Sequence, residues 1–127
     1  MARVLIVDDD AFIARIVRMK VEQLGYEVET AGDGEEGLRK ALELHPDLIL
    51  LDLMMPRMNG LEVCRRLRAE PAGRDIPVVM LTAKAQERDV EAGFAAGAND
   101  YLVKPFSPRE LQARMRAILS RTATPLP

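Results

Sequence analysis

The chain has 127 residues, 48% hydrophobic and 30% charged, with a net charge of −2. That length suits one domain with one core, and the composition excludes a disordered chain. Lys and Arg are spread along the chain, without the basic footprint of a nucleic-acid binder, and no apolar run approaches the roughly 20 residues of a membrane span.

In chain order, strand 1 is expected at about Arg3–Val7, closed by Asp8-Asp9-Asp10. Helix 1 follows, with Phe12, Ile13, Ile16, Val17, Val21 and Leu24 at helical spacing, and Gly25 stops it. Tyr26–Ala31 alternates Tyr, Val and Thr against Glu27 and Glu29, the pattern of a half-exposed edge strand. Asp33 can cap helix 2, with Glu36 completing a capping box, and Pro46 ends it. His45, with no acid or Cys beside it, reads as a solvated helix end. Strand 3 is Asp47–Leu51, apolar on both faces and followed by Asp52. Helix 3 spans Gly60–Ala69 and is closed by Pro71; within it the lone Cys64, beside Val63 and Leu67, reads as a buried structural thiol. Strand 4 is Pro77–Leu81, helix 4 roughly Gln86–Ala96, and strand 5 Tyr101–Val103. Ser107-Pro108-Arg109-Glu110 opens helix 5 with a cap, an early Pro and a box Glu. Periodicity is lost from Thr122, so residues 1–121 read as one domain and 122–127 as a tail or the start of a linker. Met1 leads directly into a strand-like run rather than a signal-peptide layout, and cytoplasm without membrane partners is the expected setting.

Five strands alternating with five helices imply an α/β fold, a parallel sheet covered on both faces. Right-handed crossovers and an edge strand at position 2 favour a flavodoxin-like, doubly wound order 2-1-3-4-5. Ligands of such sheets bind outside the carboxyl ends of the strands where the chain reverses, here between strands 1 and 3. Those two strands are the ones that end in Asp.

Carboxylates about 4 Å apart repel by about 4 kcal/mol per pair at an effective dielectric near 20. A fold keeps such a cluster only if a cation or a proton neutralises it. Strand 4 adds Thr82 to the same edge, and strand 5 adds Lys104-Pro105. The acids suit a hard cation such as Mg2+, and the ammonium and hydroxyl suit phosphoryl oxygens. A carboxylate between a divalent cation and a Lys is a candidate nucleophile toward phosphorus. Asp10, and Asp9 with it, could instead cap helix 1.

The acids after Val7, Leu50-Leu51-Asp52-Leu53-Met54-Met55-Pro56 with Asn59-Gly60, Met80-Leu81-Thr82-Ala83, and Gly97-Ala98-Asn99-Asp100-Tyr101-Leu102-Val103-Lys104-Pro105-Phe106 resemble the receiver domain of two-component response regulators, of the chemotaxis-Y-like kind. The resemblance covers residues 3–119, with four motifs in order, each at an expected strand end. It implies that Asp52 is the phosphoacceptor. Asp8 and Asp9, with Asp52 and the Met54 backbone carbonyl, would hold Mg2+, and Thr82 and Lys104 would bind phosphoryl oxygens. Tyr101 would be the aromatic switch, turning inward when Thr82 moves, and the Lys104–Pro105 bond would be cis. Met54 and Lys84 match positions that tune phosphoryl lifetime. A sensor histidine kinase would be the phosphodonor, and an output domain or downstream protein would read the helix 4–strand 5–helix 5 face, with homodimerisation among the assemblies the family uses. Val90 and Asn99 depart from the charged residues that DNA-binding members use for cross-dimer pairs.

The resemblance implies a switch whose only chemistry is its own phosphorylation and dephosphorylation, with no direct nucleic-acid binding by this domain. The rival is a metal-dependent phosphohydrolase with an Asp nucleophile, for which Asp8 and Asp10 offer the D-x-D spacing. A flavodoxin-like cofactor site is disfavoured, because three acids after strand 1 would repel a phosphate.

Overall fold

Runs that are apolar on both faces belong in the middle of a sheet, and the sequence supplies them. The computed structural model describes residues 2–83 and 87–123, excluding the side chains of residues 87, 88 and 121–123. Its strands are β1 (Arg3–Val7), β2 (Glu27–Ala31), β3 (Leu48–Asp52), β4 (Val78–Thr82) and β5 (Asp100–Val103). They alternate with helices α1 (Ala11–Gln23), α2 (Gly34–Leu44), α3 (Gly60–Ala69), α4 (Glu87–Ala95) and α5 (Pro108–Ala123). All strand pairs are parallel, and the order is β2-β1-β3-β4-β5. β3 and β4 are buried along their whole length, whereas β2 alternates exposed and half-buried residues as an edge strand does.

Successive strand residues point to opposite faces, which divides the core in two. Leu5, Val7, Ile49, Leu51 and Met80 pack with Val63 and Leu67 of α3 on one face. Val4, Ile6, Leu50 and Leu81 pack with Val17 and Val21 of α1 and with Leu111, Met115 and Ile118 of α5 on the other.

Helix starts follow their capping residues. Asp10 Oδ1 accepts from Phe12 N and Ile13 N, Asp33 Oδ1 from Glu36 N, Asn59 Oδ1 from Glu62 N, and Ser107 Oγ from Glu110 N. Glu36 reaches back to Gly32 N rather than to Asp33 N, a one-residue variant of the expected box. His45 closes α2 in the left-handed region, at φ 50°.

Strands 3 and 4 each run one residue later than expected. Pro77 has no N–H to give a ladder, and Asp47 instead exchanges bonds with the Arg3 backbone. Asp52 and Thr82 are therefore the last residues of their strands. A short 3-10 turn, Pro71–Gly73, lies between α3 and β4 and was not expected. α5 continues to Ala123, past the loss of periodicity at Thr122. Phe12, assigned to the apolar face of helix 1, is 68% exposed. It lies on the side of α1 turned away from the face that buries Ala14, Val17 and Val21. Lys84 and Gln86 lie outside the described residues, as do residues 124–127 of the expected tail.

α2 lies close on β1 because Gly37 has no side chain: a Cβ there would fall 2.7 Å from a Val7 methyl. Gly37→Ala should therefore destabilise the fold by about 1–3 kcal/mol through overpacking. The check is urea unfolding, with a lower midpoint at unchanged slope. A midpoint equal to the wild type would show that the helix can lift away without strain.

Candidate functional site

The register brings the carboxyl ends of β1, β3, β4 and β5 level. Val7 pairs with Leu51, Asp52 with Leu81 and Thr82 with Val103. The residue after β1 is thus Asp8, the last of β3 is Asp52, the last of β4 is Thr82, and the residue after β5 is Lys104. Asp8, Asp52 and Thr82 are buried, and Asp9 is exposed at the rim. Carboxylate oxygens of Asp8, Asp9 and Asp52 lie within 4.8 Å of one another.

Backbone donors aim two of these acids. Asp8 Oδ1 accepts from Asp10 N at 2.9 Å, and Asp52 Oδ1 accepts a longer bond from Met54 N at 3.4 Å. Lys104 Nζ reaches Asp8 Oδ2 at 3.2 Å and stands 3.7 Å from Asp52 Oδ1. Its own N–H donates to Thr82 O at 2.7 Å, which ties the two strand ends together. The Lys104–Pro105 peptide bond is cis.

The charges do not balance. Burial pushes the Asp52 carboxyl from an ordinary 3.8 up to about 6; Lys104 opposes this, Asp8 pushes it further up, the Met54 N–H opposes, and Asp9 adds a smaller push upward. An all-oxygen donor set with excess negative charge is what a hard divalent cation such as Mg2+ requires.

Asp10 stands apart from this group, because its carboxylate is taken up by the start of α1. That removes the second acid of the D-x-D pair from the site and with it the basis of the phosphohydrolase reading. What sequence reasoning did not foresee is the Asp10 main-chain N–H, which orients Asp8 and leaves no side-chain signature.

Tyr101 is buried, its ring against Gly93, where a Cβ would come within 3.0 Å. Its Oη is buried with no hydrogen-bond partner among the described residues. Burial raises its pKa; the neighbouring Thr82 side chain offsets this in part, without meeting hydrogen-bond geometry, and Asp89 adds to the rise. The ring thus lies inward in this structure. Cys64 is fully buried, and burial pushes its thiol pKa up, as suits an inert structural thiol.

α1 exposes Phe12 in its first turn, next to the acids, and Met19 two turns further on. A cleft of about 310 Å3 runs from Ile13 and Ile16 to Lys104, Pro105 and Phe106. Lys20 Nζ lies 5.6 Å from the centre of the Phe106 ring, a cation–π contact joining α1 to the β5–α5 loop.

A doubly wound parallel sheet with acids at its switch point defines a class of α/β switch and ligand-binding domains, and comparison with known proteins narrows it. Residues 4–116 match the family model of the response regulator receiver domain, and the chain belongs to that family. It is 51% identical over 122 residues to the DNA-binding dual master transcriptional regulator RpaA of Synechocystis, covering 96% of this chain and 51% of the relative. To the transcriptional regulatory protein ResD of Bacillus subtilis it is 49% identical over 121 residues, covering 95% of this chain and 49% of that one. The chain spans about half the length of these relatives, which are transcriptional regulators rather than metabolic enzymes. Among solved structures, a response regulator of Chloroflexus aurantiacus superposes with a TM-score of 0.90 at 42% identity, covering 94% of this chain and 98% of that one. The receiver domain of a Pseudomonas aeruginosa sensor histidine kinase, with a magnesium ion coordinated in its active-site cleft, superposes with a TM-score of 0.88 at 34% identity, covering 94% and 98%. No helix among the described residues is long and apolar enough to cross a membrane.

The raised Asp52 pKa has a stability consequence. The folded state binds its proton more tightly than the unfolded chain does, so the native state is favoured below pH 3.8 and loses that advantage as pH rises through about 6. Asp52→Asn should accordingly stabilise the metal-free protein at pH 7.5 by about 1–3 kcal/mol, the gain fading as pH falls toward 4. Thermal melts across that range check this; a destabilised variant at pH 7.5 would contradict it.

Proposed function

We propose that this chain is a phosphorylation-controlled switch in which Asp52 accepts a phosphoryl group from a sensor histidine kinase. The observation that carries the reading is the grouping of Asp8, Asp9 and Asp52 with Lys104 at the carboxyl edge of the sheet. Asp8, Asp9, Asp52 and the Met54 backbone carbonyl would hold Mg2+. When bound, the ion supplies positive charge to the oxygens of the transferring group.

The remaining work falls to the chain. An Asp52 oxygen forms the bond to phosphorus as the N–P bond of the donor phosphohistidine breaks. The bonding pair passes to the imidazole nitrogen. Asp52 must be ionised to attack. The Lys104 ammonium, which lies between Asp8 and Asp52, would bind a phosphoryl oxygen. The Thr82 hydroxyl would take another. The exposed Phe12 and Met19, with the cleft ending at Lys104 and Phe106, flank the site and offer the donor protein an apolar footing.

The phosphoryl group adds nearly two negative charges at the end of β3. Thr82, drawn toward it, would leave the neighbourhood of the buried Tyr101 hydroxyl. The changed packing would be read on the surface of α4, β5 and α5 by an output domain, a downstream protein or a second copy. The Tyr101 ring, buried here, would repack as Thr82 moves. In relatives about twice as long, and named as DNA-binding regulators, the rest of the chain is the natural reader. Residues 1–121 would be the switch itself, cytoplasmic and without nucleic-acid contacts of its own.

Acetyl phosphate with Mg2+ should add one phosphoryl mass to the wild type and none to Asp52→Asn. Labelling that survives Asp52→Asn, or that needs no divalent ion, would defeat the assignment.

Met54 is 57% exposed beside the acceptor, and its apolar side chain offers no hydrogen bond to orient an attacking water. The phosphoryl group should therefore be long-lived, and Met54→Asn should shorten its half-life severalfold. Decay of the phosphorylated mass with time measures this. A half-life of seconds that the substitution leaves unchanged would contradict it.

A further inference from the structure

At the end of the sheet opposite the acids, Arg68 of α3 uses all five of its N–H donors. Nε and Nη2 donate to Gly97 O at 3.1 and 2.9 Å, and Nη1 donates to Gly73 O and Ile76 O at 2.9 and 2.7 Å. Nη2 also donates to Asn99 Oδ1 at 3.0 Å. One side chain thus joins α3, the turn after it, the approach to β4 and the α4–β5 junction. The junction is shaped to receive it. Gly97 takes φ +110°, and a Cβ there would lie 2.7 Å from Arg68 Cγ. Asn99 Oδ1 accepts from Val78 N at 2.8 Å as well, while Asn99 N donates to Val78 O at 2.8 Å. Arg68 therefore reaches the start of β5 through an amide that is itself bonded to the start of β4.

The opposite end of β5 is built differently. There Tyr101 Oη lacks a partner among the described residues, and Lys104 is shared between two acids. Of the two ends, one is held by a five-bond guanidinium, and the other is poised to answer a new charge.

We propose that Arg68 is the positioning residue of the switch: it pins the α4–β5 junction to α3 and to the start of β4, so that a rearrangement begun at Thr82 turns α4 and β5 about residues 97–99. The proposal rests on the switch reading above. It also gives Asn99 an internal role, bonded to both Arg68 and Val78. A lysine could not replace the guanidinium, because a point charge with three donors cannot span these acceptors.

The test is amide hydrogen exchange on the whole chain, free and with beryllofluoride plus Mg2+ as the phosphoryl mimic. In the wild type, residues 97–99 should stay protected in both states while the segments around Thr82 and Tyr101 change. In Arg68→Ala, residues 97–99 should exchange at least about tenfold faster, and the beryllofluoride response should spread through them. Phosphorylation of Asp52 by acetyl phosphate should persist, and Arg68→Lys should recover only part of the protection. Should Arg68→Ala fail to fold, Asn99→Ala removes one acceptor and should give a smaller acceleration at the same residues. Acceleration spread evenly over the sheet would make Arg68 a residue of bulk stability and overturn the proposal. So would wild-type residues 97–99 that respond to beryllofluoride as strongly as the Thr82 segment does. A wild type that takes no phosphoryl group on Asp52 would defeat the switch reading and the pivot together. Normal phosphorylation with unaltered exchange at 97–99 in Arg68→Ala defeats the pivot alone.

Discussion

Lys104 stands 3.2 Å from Asp8 and 3.7 Å from Asp52, a single ammonium set against three grouped carboxylates. Two negative charges are left over. The cost falls mainly on Asp52: Asp8, also buried, has the nearer Lys104 contact and a shorter bond from a backbone N–H, whereas Asp9 stays in water at the rim. A buried carboxylate with too little opposite charge either takes a proton or recruits a cation. The upward displacement of the Asp52 pKa is the first response, and the oxygen-rich geometry invites the second. The proposed chemistry at Asp52 would depend on the same imbalance, because whatever neutralises Asp8 and Asp9 without protonating Asp52 leaves it ionised.

The scaffold exists to hold that arrangement without relief. Parallel strands end level, so that acids on β1 and β3 cannot move apart without breaking the ladder between Val7 and Leu51. Close helix approaches tighten it further. Gly60 sits so near β3 that a Cβ would fall 2.5 Å from the Asp52 carbonyl oxygen, while Gly60 N donates to Leu53 O. The loop carrying Met54 is thereby closed against β3. At the far end of the sheet Arg68 does similar work for α4 and β5. One pole of the domain is under electrostatic tension and the other is satisfied, and that contrast suits a domain whose surface answers a change of charge.

Much of this was legible in the sequence, and for identifiable reasons. Two-sided apolar runs mark inner strands, so the β2-β1-β3-β4-β5 order and the convergence of acids at the switch point followed from patterning and chirality. Capping residues located the starts of α1, α2 and α5. Other features had no local signal. The five bonds of Arg68 go to four acceptors from segments up to 31 residues away, three of them main-chain carbonyls. The role of the Asp10 N–H in aiming Asp8 depends on a turn, not on a side chain. Phe12 is apolar yet faces solvent, because it lies off the face of α1 that carries Ala14, Val17 and Val21. The one-residue shifts of β3 and β4 follow from Pro77 lacking a donor and Asp47 turning back to Arg3.

The acids share unmet negative charge that a divalent cation would relieve. Proton release on Mg2+ binding measures this most directly. Near pH 6 about half of Asp52 is protonated in the metal-free protein, so each bound ion should expel up to about half a proton. Release should vanish by pH 8 and be absent in Asp52→Asn. Mg2+ binding without proton release at pH 6, or equal release from Asp52→Asn, would contradict the account.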